Sequence, residues 1–398
     1  MTSNFLSYLL TLETKGIKLG LERTRQILKA CDNPHKKIKT IQVVGTNGKG
    51  STSAMIANIL KVSGYKVGLY TSPHLNTINE RIRINGQAIS NQQIIKFIDQ
   101  YKSHIDKLKI SFFEAMTALA LWHFNNAKVD IAVLETGLGG RLDSVSVCDP
   151  ELLVFTQISL DHQHILGSTI EKITTEKAGA IKKNSKCISS KQKQNVQYIL
   201  NQKVQELNGT IEYINPIKNK NIYLNGAHQS INQALAIKAV QSINHFRITD
   251  KDIKLGLESI KWPGRIQQIH NQPTIFFDVA HNSDSFLSLC HFITTLQIKG
   301  NKTLILALQQ NKNIQSAIKL IEQTFDKIII TQTNIRNSLK VDQLKQFFTT
   351  HQTQIILDPH DAIHTASTQH IDDCIVIAGS HYLGPYITQK FKISFENI

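Results

Sequence analysis

Apolar and polar positions follow two periods along the chain. Short apolar runs rich in β-branched residues occupy 41–44, 67–70, 129–134, 152–158 and 186–189. Runs of that length and continuity form strands buried on both faces. Between them apolar residues recur every three or four positions, which predicts helices over 51–62, 91–105, 112–125 and 230–243. Gly64 stands where the first of these must stop, as glycine accepts the left-handed turn that ends a helix. Strands alternating with helices predict βαβ units around a mostly parallel sheet.

The alternation breaks at Trp262-Pro263-Gly264-Arg265 and then restarts, with strands at 274–277, 303–308, 327–331, 354–357 and 374–378 and a helix over 314–325. Charge changes at the same place. Residues 266–398 carry ten basic and ten acidic side chains, so the whole net charge of +15 lies in residues 1–265. The Pro-Gly pair and the charge step together predict a domain boundary near residue 266, giving units 1–266 and 267–398.

A chain of 398 residues with 41% hydrophobic content can bury two or three cores. The first residues carry no basic stretch ahead of a long apolar run, and no segment approaches bilayer length. A cytoplasmic protein without membrane contact is therefore expected. The five cysteines (Cys31, Cys148, Cys187, Cys290, Cys374) are far apart and form no C-x-x-C pair, which suggests neither a disulfide framework nor a zinc site. The basic first unit would attract polyanions such as ATP, or is simply a solubilising surface. Its lysines are not interleaved with aromatic residues as in single-strand nucleic-acid binders.

Gly45-Thr46-Asn47-Gly48-Lys49-Gly50-Ser51 lies between a predicted strand and a predicted helix. Backbone N–H groups there can cradle phosphates, with Lys49 reaching the β/γ-phosphates and the Ser51 hydroxyl approaching Mg²⁺. The pattern departs from G-x-x-x-x-G-K-[ST], because Gly50 separates Lys49 from Ser51, and an ordinary glycine-rich turn is the alternative. Glu135 follows an apolar strand, where its carboxylate would emerge at the ligand-binding edge of an open sheet and suit Mg²⁺; a plain loop carboxylate reads equally well. His162 reaches the same edge after the 152–158 strand, or is a hydrogen-bonded structural histidine. Phe112 and Phe113 offer flat surfaces for an aromatic substrate, or belong to the core. Arg265 suits a phosphate, or an interdomain ion pair. His281 and Asn282 face the cleft, or cap the turn after a strand.

The glycine loop resembles that of the folylpolyglutamate synthase and dihydrofolate synthase family, within the Mur ligases. Further blocks match in order: Thr71-Ser72-Pro73-His74-Leu75, Asn79-Glu80-Arg81-Ile82-Arg83, Ser111-Phe112-Phe113-Glu114-Ala115-Met116-Thr117, Glu135-Thr136-Gly137-Leu138-Gly139-Gly140-Arg141-Leu142-Asp143, Ser159-Leu160-Asp161-His162, Glu176-Lys177-Ala178-Gly179, His228-Gln229-Ser230-Ile231-Asn232, Asp278-Val279-Ala280-His281-Asn282 and Gly379-Ser380-His381-Tyr382. The resemblance implies an α/β fold: a P-loop Mur-ligase-like ATPase domain with a mostly parallel sheet, and a smaller Rossmann-like C-terminal domain.

It also implies an ATP-dependent ligase that joins L-glutamate to dihydropteroate and to folates through an acyl phosphate. Ser72, Glu135, His162 and Ser51 would hold Mg²⁺ at two sites, with Lys177 carbamylated by CO₂ to help hold the second metal. K⁺ is a candidate further cation. Lys49, Lys177 and His162 would be catalytic. Asn232, Arg265 and Asp278 would join the glycine loop in binding ATP. Lys18, Leu19, Gly20, Ser111, Phe112, Phe113, Glu114, Leu142, Asp143 and Ser144 would contact the pteroate or folate. A monomer with small-molecule partners and no nucleic acid is expected.

Three departures from the family pattern stand out. Lys18 occupies a position that is often Asp; Asp143-Ser144-Val145-Ser146 stands for Asp-Ala-Thr-Asn; and 308–313 lacks the acidic residues frequent after that strand. Two other activities remain open: a Mur-type ligase acting on another acceptor, and a P-loop ATPase stimulated by nucleic acid, which would show steep salt dependence.

Overall fold

The computed structural model describes residues 2–13, 16, 20–217, 223–335, 337–349, 353–368 and 370–398. Lys18 and Leu19 lie outside these residues. Eight strands build the first sheet: β1 (Thr40–Val44), β2 (Val67–Tyr70), β3 (Ile82–Ile84), β4 (Gln87–Ala88), β5 (Ile131–Glu135), β6 (Leu152–Phe155), β7 (Lys186–Ser190) and β8 (Thr210–Ile214). Their order is β4-β3-β2-β5-β1-β6-β7-β8. All pairs are parallel except β2–β3 and β3–β4.

The central strands β1, β5 and β6 are buried at every position, because helices cover both faces, as a parallel sheet requires. One face carries the helix Lys49–Val62, which packs with Gln229–Gln241 and Asp250–Glu258 in a core centred on Met55, Ile59, Leu60 and Leu235. The other carries Phe112–Asn126, with Asn91–Lys107 outside it, around Phe97, Leu119 and Phe124.

The second sheet has the order β13-β12-β11-β14-β10-β9. Its strands are β9 (Gln267–Asn271), β10 (Thr274–Phe277), β11 (Lys302–Leu306), β12 (Lys327–Ile330), β13 (Thr353–Ile355) and β14 (Cys374–Ala378). Only β9–β10 is antiparallel. Ile266, just ahead of this sheet, is buried in its core beside Phe276 and Ala280.

The last residues return to the first sheet. Phe395 is buried in the second unit and stacks on Phe277, with ring centroids 6.0 Å apart. Arg83 within β3 then donates to the carbonyls of Phe395 (2.7 Å) and Glu396 (3.3 Å), and the Ile398 N–H donates to Gly86 O at 3.1 Å.

Several elements differ from expectation. β6 ends at Phe155, three residues early: Thr156 still donates to Val44 O of β1, but Gln157 and Ser159 then bond to the glycine loop and Ile158 N–H to Gln192 Oε1. β5 begins at Ile131, since the Val129 N–H still donates to Phe124 O at the end of the preceding helix. The 314–325 helix splits into a 3₁₀ turn, Gln315–Ala317, and the helix Ile318–Thr324. The hairpin β3–β4 and the strands β8 and β9 were unread: they are short, or alternate polar and apolar residues at a sheet edge. Among the described residues no helix is long and apolar enough to cross a membrane.

Close packing of Asp250–Glu258 on Lys49–Val62 depends on Gly256. A Cβ there would lie 2.6 Å from Ile59 Cα, a backbone contact that cannot rotate away. Gly256→Ala, which would stabilise an isolated helix, is expected here to destabilise by about 1–3 kcal/mol through overpacking. A lower thermal unfolding midpoint measured by circular dichroism checks this; an unchanged or raised midpoint contradicts it.

Candidate active site

The carboxyl ends of β1, β5 and β6 open together into a cleft of about 720 Å³ between the two sheets' units, where open α/β folds bind ligands. The glycine loop forms its floor. Thr46 and Asn47 donate their N–H groups to Gln157 O (2.9 and 3.2 Å), while the Thr46 hydroxyl donates to Ser159 O and accepts the Ser159 N–H, each at 3.1 Å. The loop is therefore braced from outside, and it runs straight into the N-terminus of Lys49–Val62 at the cleft, a dipole end that favours anions. Gly48 has φ +87°, and a Cβ there would meet the Asn232 amide oxygen at 2.3 Å.

All seven loop residues line the cleft. Lys49 folds back, Nζ donating to Thr46 O at 3.1 Å. Ser51 is buried and accepts from Gln229 Nε2 at 3.4 Å; Gln229 in turn accepts from Asn232 Nδ2 at 2.8 Å. The chain thus couples the loop to Gln229–Gln241.

Glu135 is the last residue of β5, inside the strand and not beyond it. Its buried carboxylate accepts the Ser72 N–H at 3.1 Å. Burial raises its pKa, opposed by the charges of Lys49, Arg265 and Arg81. Lys177 is buried and donates Nζ to Gly45 O at 2.6 Å. Burial, together with the charge of Lys49, lowers its pKa from 10.5 to about 7, so the structure favours a neutral amine far more than water does.

His162 sits in the left-handed region at φ +50°, and opens a short helix, Gln163–Leu166. It, Ser72, Glu135 and Lys177 all line one cleft. They are not gathered into a cage: among the described residues no three His, Cys, Asp or Glu side chains form a metal-binding group.

At the junction, Arg265 Nη1 donates to Gly264 O at 2.9 Å, and burial lowers its pKa against the charges of Asp278 and Glu135. Asp278 spends both oxygens on backbone, accepting from Ile266 N and Ala280 N, each at 2.7 Å; burial pushes its pKa up to about 6. Asn282 caps the helix Ser283–Thr294 and also donates to Asn47 Oδ1 at 3.0 Å. Of its two readings the cap holds, whereas the cleft itself is lined by the neighbouring His281 and not by Asn282.

The acceptor-side residues divide. Ser111 and Glu114 form the capping box of Phe112–Asn126, and Glu114 also receives Arg23 Nε at 3.0 and 3.3 Å. Glu114 is a structural anchor at the cleft wall. Phe112 is buried under the Arg81 guanidinium, 5.0 Å from its ring centroid, whereas Phe113 is half-buried against Gly137. Asp143 holds the 137–145 loop by accepting from Leu138 N (2.8 Å) and Val145 N (3.0 Å), and burial lifts its pKa to about 6. Leu142 and Ser144 line the cleft beside it, but Gly20 does not.

Ser144 and Ser146, where the family pattern departs, are absorbed by local bonds. Thr24 donates to Ser144 at 3.2 Å, and Gln42 Nε2 donates to Ser146 at 2.9 Å and to Thr136 at 3.1 Å.

Arg81, Asp161, Lys312 and His381 also line the cleft. Their roles carry no sequence signal of their own: Asp161 and Lys312 meet across the two units at 2.9 Å, and Arg81 Nε donates to His74 Nδ1 at 2.9 Å.

Residues 43–271 match the Mur ligase middle domain, and 264–381 match the Mur ligase glutamate ligase domain. The dihydrofolate synthase/folylpolyglutamate synthase of Bacillus subtilis (strain 168) is 31% identical, with 95% of this chain and 96% of that protein covered. The structure of E. coli FolC in complex with DHPP and ADP superposes with a TM-score of 0.90 at 26% identity, covering 98% of this chain and 97% of that one. The bifunctional folylpolyglutamate synthase/dihydrofolate synthase of Yersinia pestis, complexed with AMPPNP and Mn ion, gives 0.88 at 26% identity, covering 98% of each chain. With both Mur ligase domains matched and full-length relatives of this kind, the chain belongs to the Mur ligase family, in its dihydrofolate synthase/folylpolyglutamate synthase group.

Proposed function

We propose that this chain is a bifunctional dihydrofolate synthase and folylpolyglutamate synthase, adding L-glutamate to dihydropteroate and to folates with release of ADP and phosphate. The observation that carries the reading is one cleft lined by a braced glycine loop, the buried carboxylate of Glu135 and the buried amine of Lys177. Residues 1–266 would act as the ATP-binding unit and 267–398 as the glutamate-ligase unit.

A carboxylate resists amines because its leaving group is poor. Here a substrate carboxylate oxygen would attack the γ-phosphorus of ATP, breaking its bond to the bridging oxygen and giving ADP and an acyl phosphate. The glutamate amine would then attack the acyl carbon and lose a proton, and phosphate would depart. Lys49 and the loop amides would hold the phosphates and offset charge on the transferring group. Asn232, Arg265 and Asp278 would orient the nucleotide at the junction. Ser111, Phe112, Phe113, Leu142, Asp143 and Ser144 would form the acceptor wall. Contact between the units, such as Asn282 with Asn47, would keep water from the acyl phosphate.

A divalent ion, when bound, would supply positive charge against the phosphates. Ser51, Ser72 and Glu135 suit Mg²⁺, which prefers a carboxylate or two completed by phosphate oxygens and water over an all-protein cage. His162 and a carbamylated Lys177 would serve a second ion. Neutral Lys177 can take up CO₂ by forming an Nζ–C bond and losing a proton, and its depressed pKa supports that role.

ADP release measured with each acceptor tests the assignment. Turnover is expected only when glutamate and an acceptor are both present, with dihydropteroate and tetrahydrofolate each accepted. Activity with tetrahydrofolate alone would make the enzyme monofunctional, and indifference to both acceptors would remove it from folate chemistry.

Glu135→Gln is expected to slow ADP release by at least about 10²-fold, the scale of losing a preorganised charge partner in such sites, with an unchanged circular dichroism spectrum. Retained turnover would take Glu135 out of the mechanism.

Carbamylation requires the unprotonated amine, so at fixed dissolved CO₂ it should increase as pH rises through about 7. With ¹³C-labelled CO₂, a carbamate resonance should grow from about pH 6 to about pH 8 and be lacking in Lys177→Ala. A pH-independent signal, or one that survives the substitution, contradicts the assignment.

A further inference from the structure

Asp161 is one point at which the second unit grips the first. It follows β6, immediately before His162, and its carboxylate meets three groups. Oδ1 accepts from Lys312 Nζ at 2.9 Å, Oδ2 lies 3.4 Å from His281 Nε2, and Oδ1 also accepts the His162 N–H at 2.8 Å. Lys312 and His281 belong to the second unit: His281 follows β10, and Lys312 lies on the loop after β11.

The Asp161 and Lys312 side chains are only 10% and 9% exposed. A pair so dry persists only where geometry and additional hydrogen bonds offset the loss of hydration, and here both conditions hold. The arm carrying Lys312 is itself braced, with Lys312 N–H donating to Gln309 O (3.1 Å) and Gln310 N–H to Asn337 O (2.9 Å). The ammonium therefore arrives at a defined point.

We infer that Asp161 is a positioning residue that fastens the C-terminal unit over the phosphate loop through Lys312 and His281, and in the same contact fixes the backbone turn that aims His162 into the cleft. The first half follows from the two cross-unit contacts. The second follows from the bond to the His162 amide, which supports the left-handed conformation of that residue. One carboxylate thus makes assembly of the site conditional on closure: an open cleft strips Asp161 of its partners from the second unit. The inference rests on the ligase reading only for its catalytic readout.

A double-mutant cycle on the full chain tests it, using Asp161→Asn and Lys312→Met. ADP release with acceptor and glutamate gives one readout. Small-angle scattering of the protein with a non-hydrolysable ATP analogue gives the other, independent of turnover. Each single variant is expected to lower kcat on the order of 10²-fold, the scale of stranding one member of a buried pair, and to scatter as a more open particle than the parent. Affinity for the analogue should stay within about threefold, since the glycine loop is intact. The double variant should be no worse than the more severe single one, because both remove the same contact.

Lys312→Arg, which keeps the charge, should restore closure and part of the turnover. Losses that multiply in the double variant, or single variants that remain compact and active, would overturn the inference. A parent protein that closes on the analogue but releases no ADP with any acceptor would defeat the ligase reading instead, leaving the scattering cycle to decide on Asp161.

Discussion

The hydrogen bonds between the glycine loop and the 157–159 segment are the constraint on which the rest of the site depends. A loop with glycines at 45, 48 and 50 has many conformations available to its backbone, and only external bonds select one. Gln157 and Ser159 supply them from the neighbouring strand's extension, and Lys177 closes the other side by donating to Gly45 O. This bracing shortens β6 relative to its apolar run. Ladder bonds are exchanged for bonds that shape a phosphate cradle, and the chain then turns back into the cleft to present Asp161 and His162.

Much of the fold was legible because its strongest signals are local. Fully apolar runs such as 131–134 and 152–155 have no stable alternative to a covered parallel strand, and the helix expected after the glycine loop is there, starting at Lys49 within the loop. Elements whose stability comes from elsewhere were not legible. The β3–β4 hairpin is held in part by the chain terminus more than 300 residues away, and β8 shows the polar-apolar mixture of an edge. Boundaries failed at 129–131, where the Val129 N–H stays with the end of the preceding helix, and at 157–158, where bonds to the glycine loop and Gln192 outweighed the apolar pattern.

For the site, residue types and order identified what faces the nucleotide, since glycine spacing and the carboxylate at the end of a strand carry their chemistry in the sequence. Cross-unit partners carried no such signal. Lys312 stood out only for the acidic residues missing around it, yet its meaning lies in the carboxylate it reaches across the cleft. Glu114, by contrast, resembled a substrate contact and proves to be committed to Arg23 and its own helix cap. A titratable residue on a cavity wall is not thereby available to a ligand: its existing bonds decide.

The path of the final residues bears on how the two halves can move. They are joined covalently near residue 265, and by non-covalent contacts where Phe395 is seated in one half while Arg83 and Gly86 hydrogen-bond to the backbone at and just beyond it. The linker and this terminal strap hold the two halves together at separate points, which narrows the ways one can turn against the other. A second tether of that kind keeps the His281 and Lys312 edge near the segment after β6, so that these side chains find the Asp161 carboxylate without a long search.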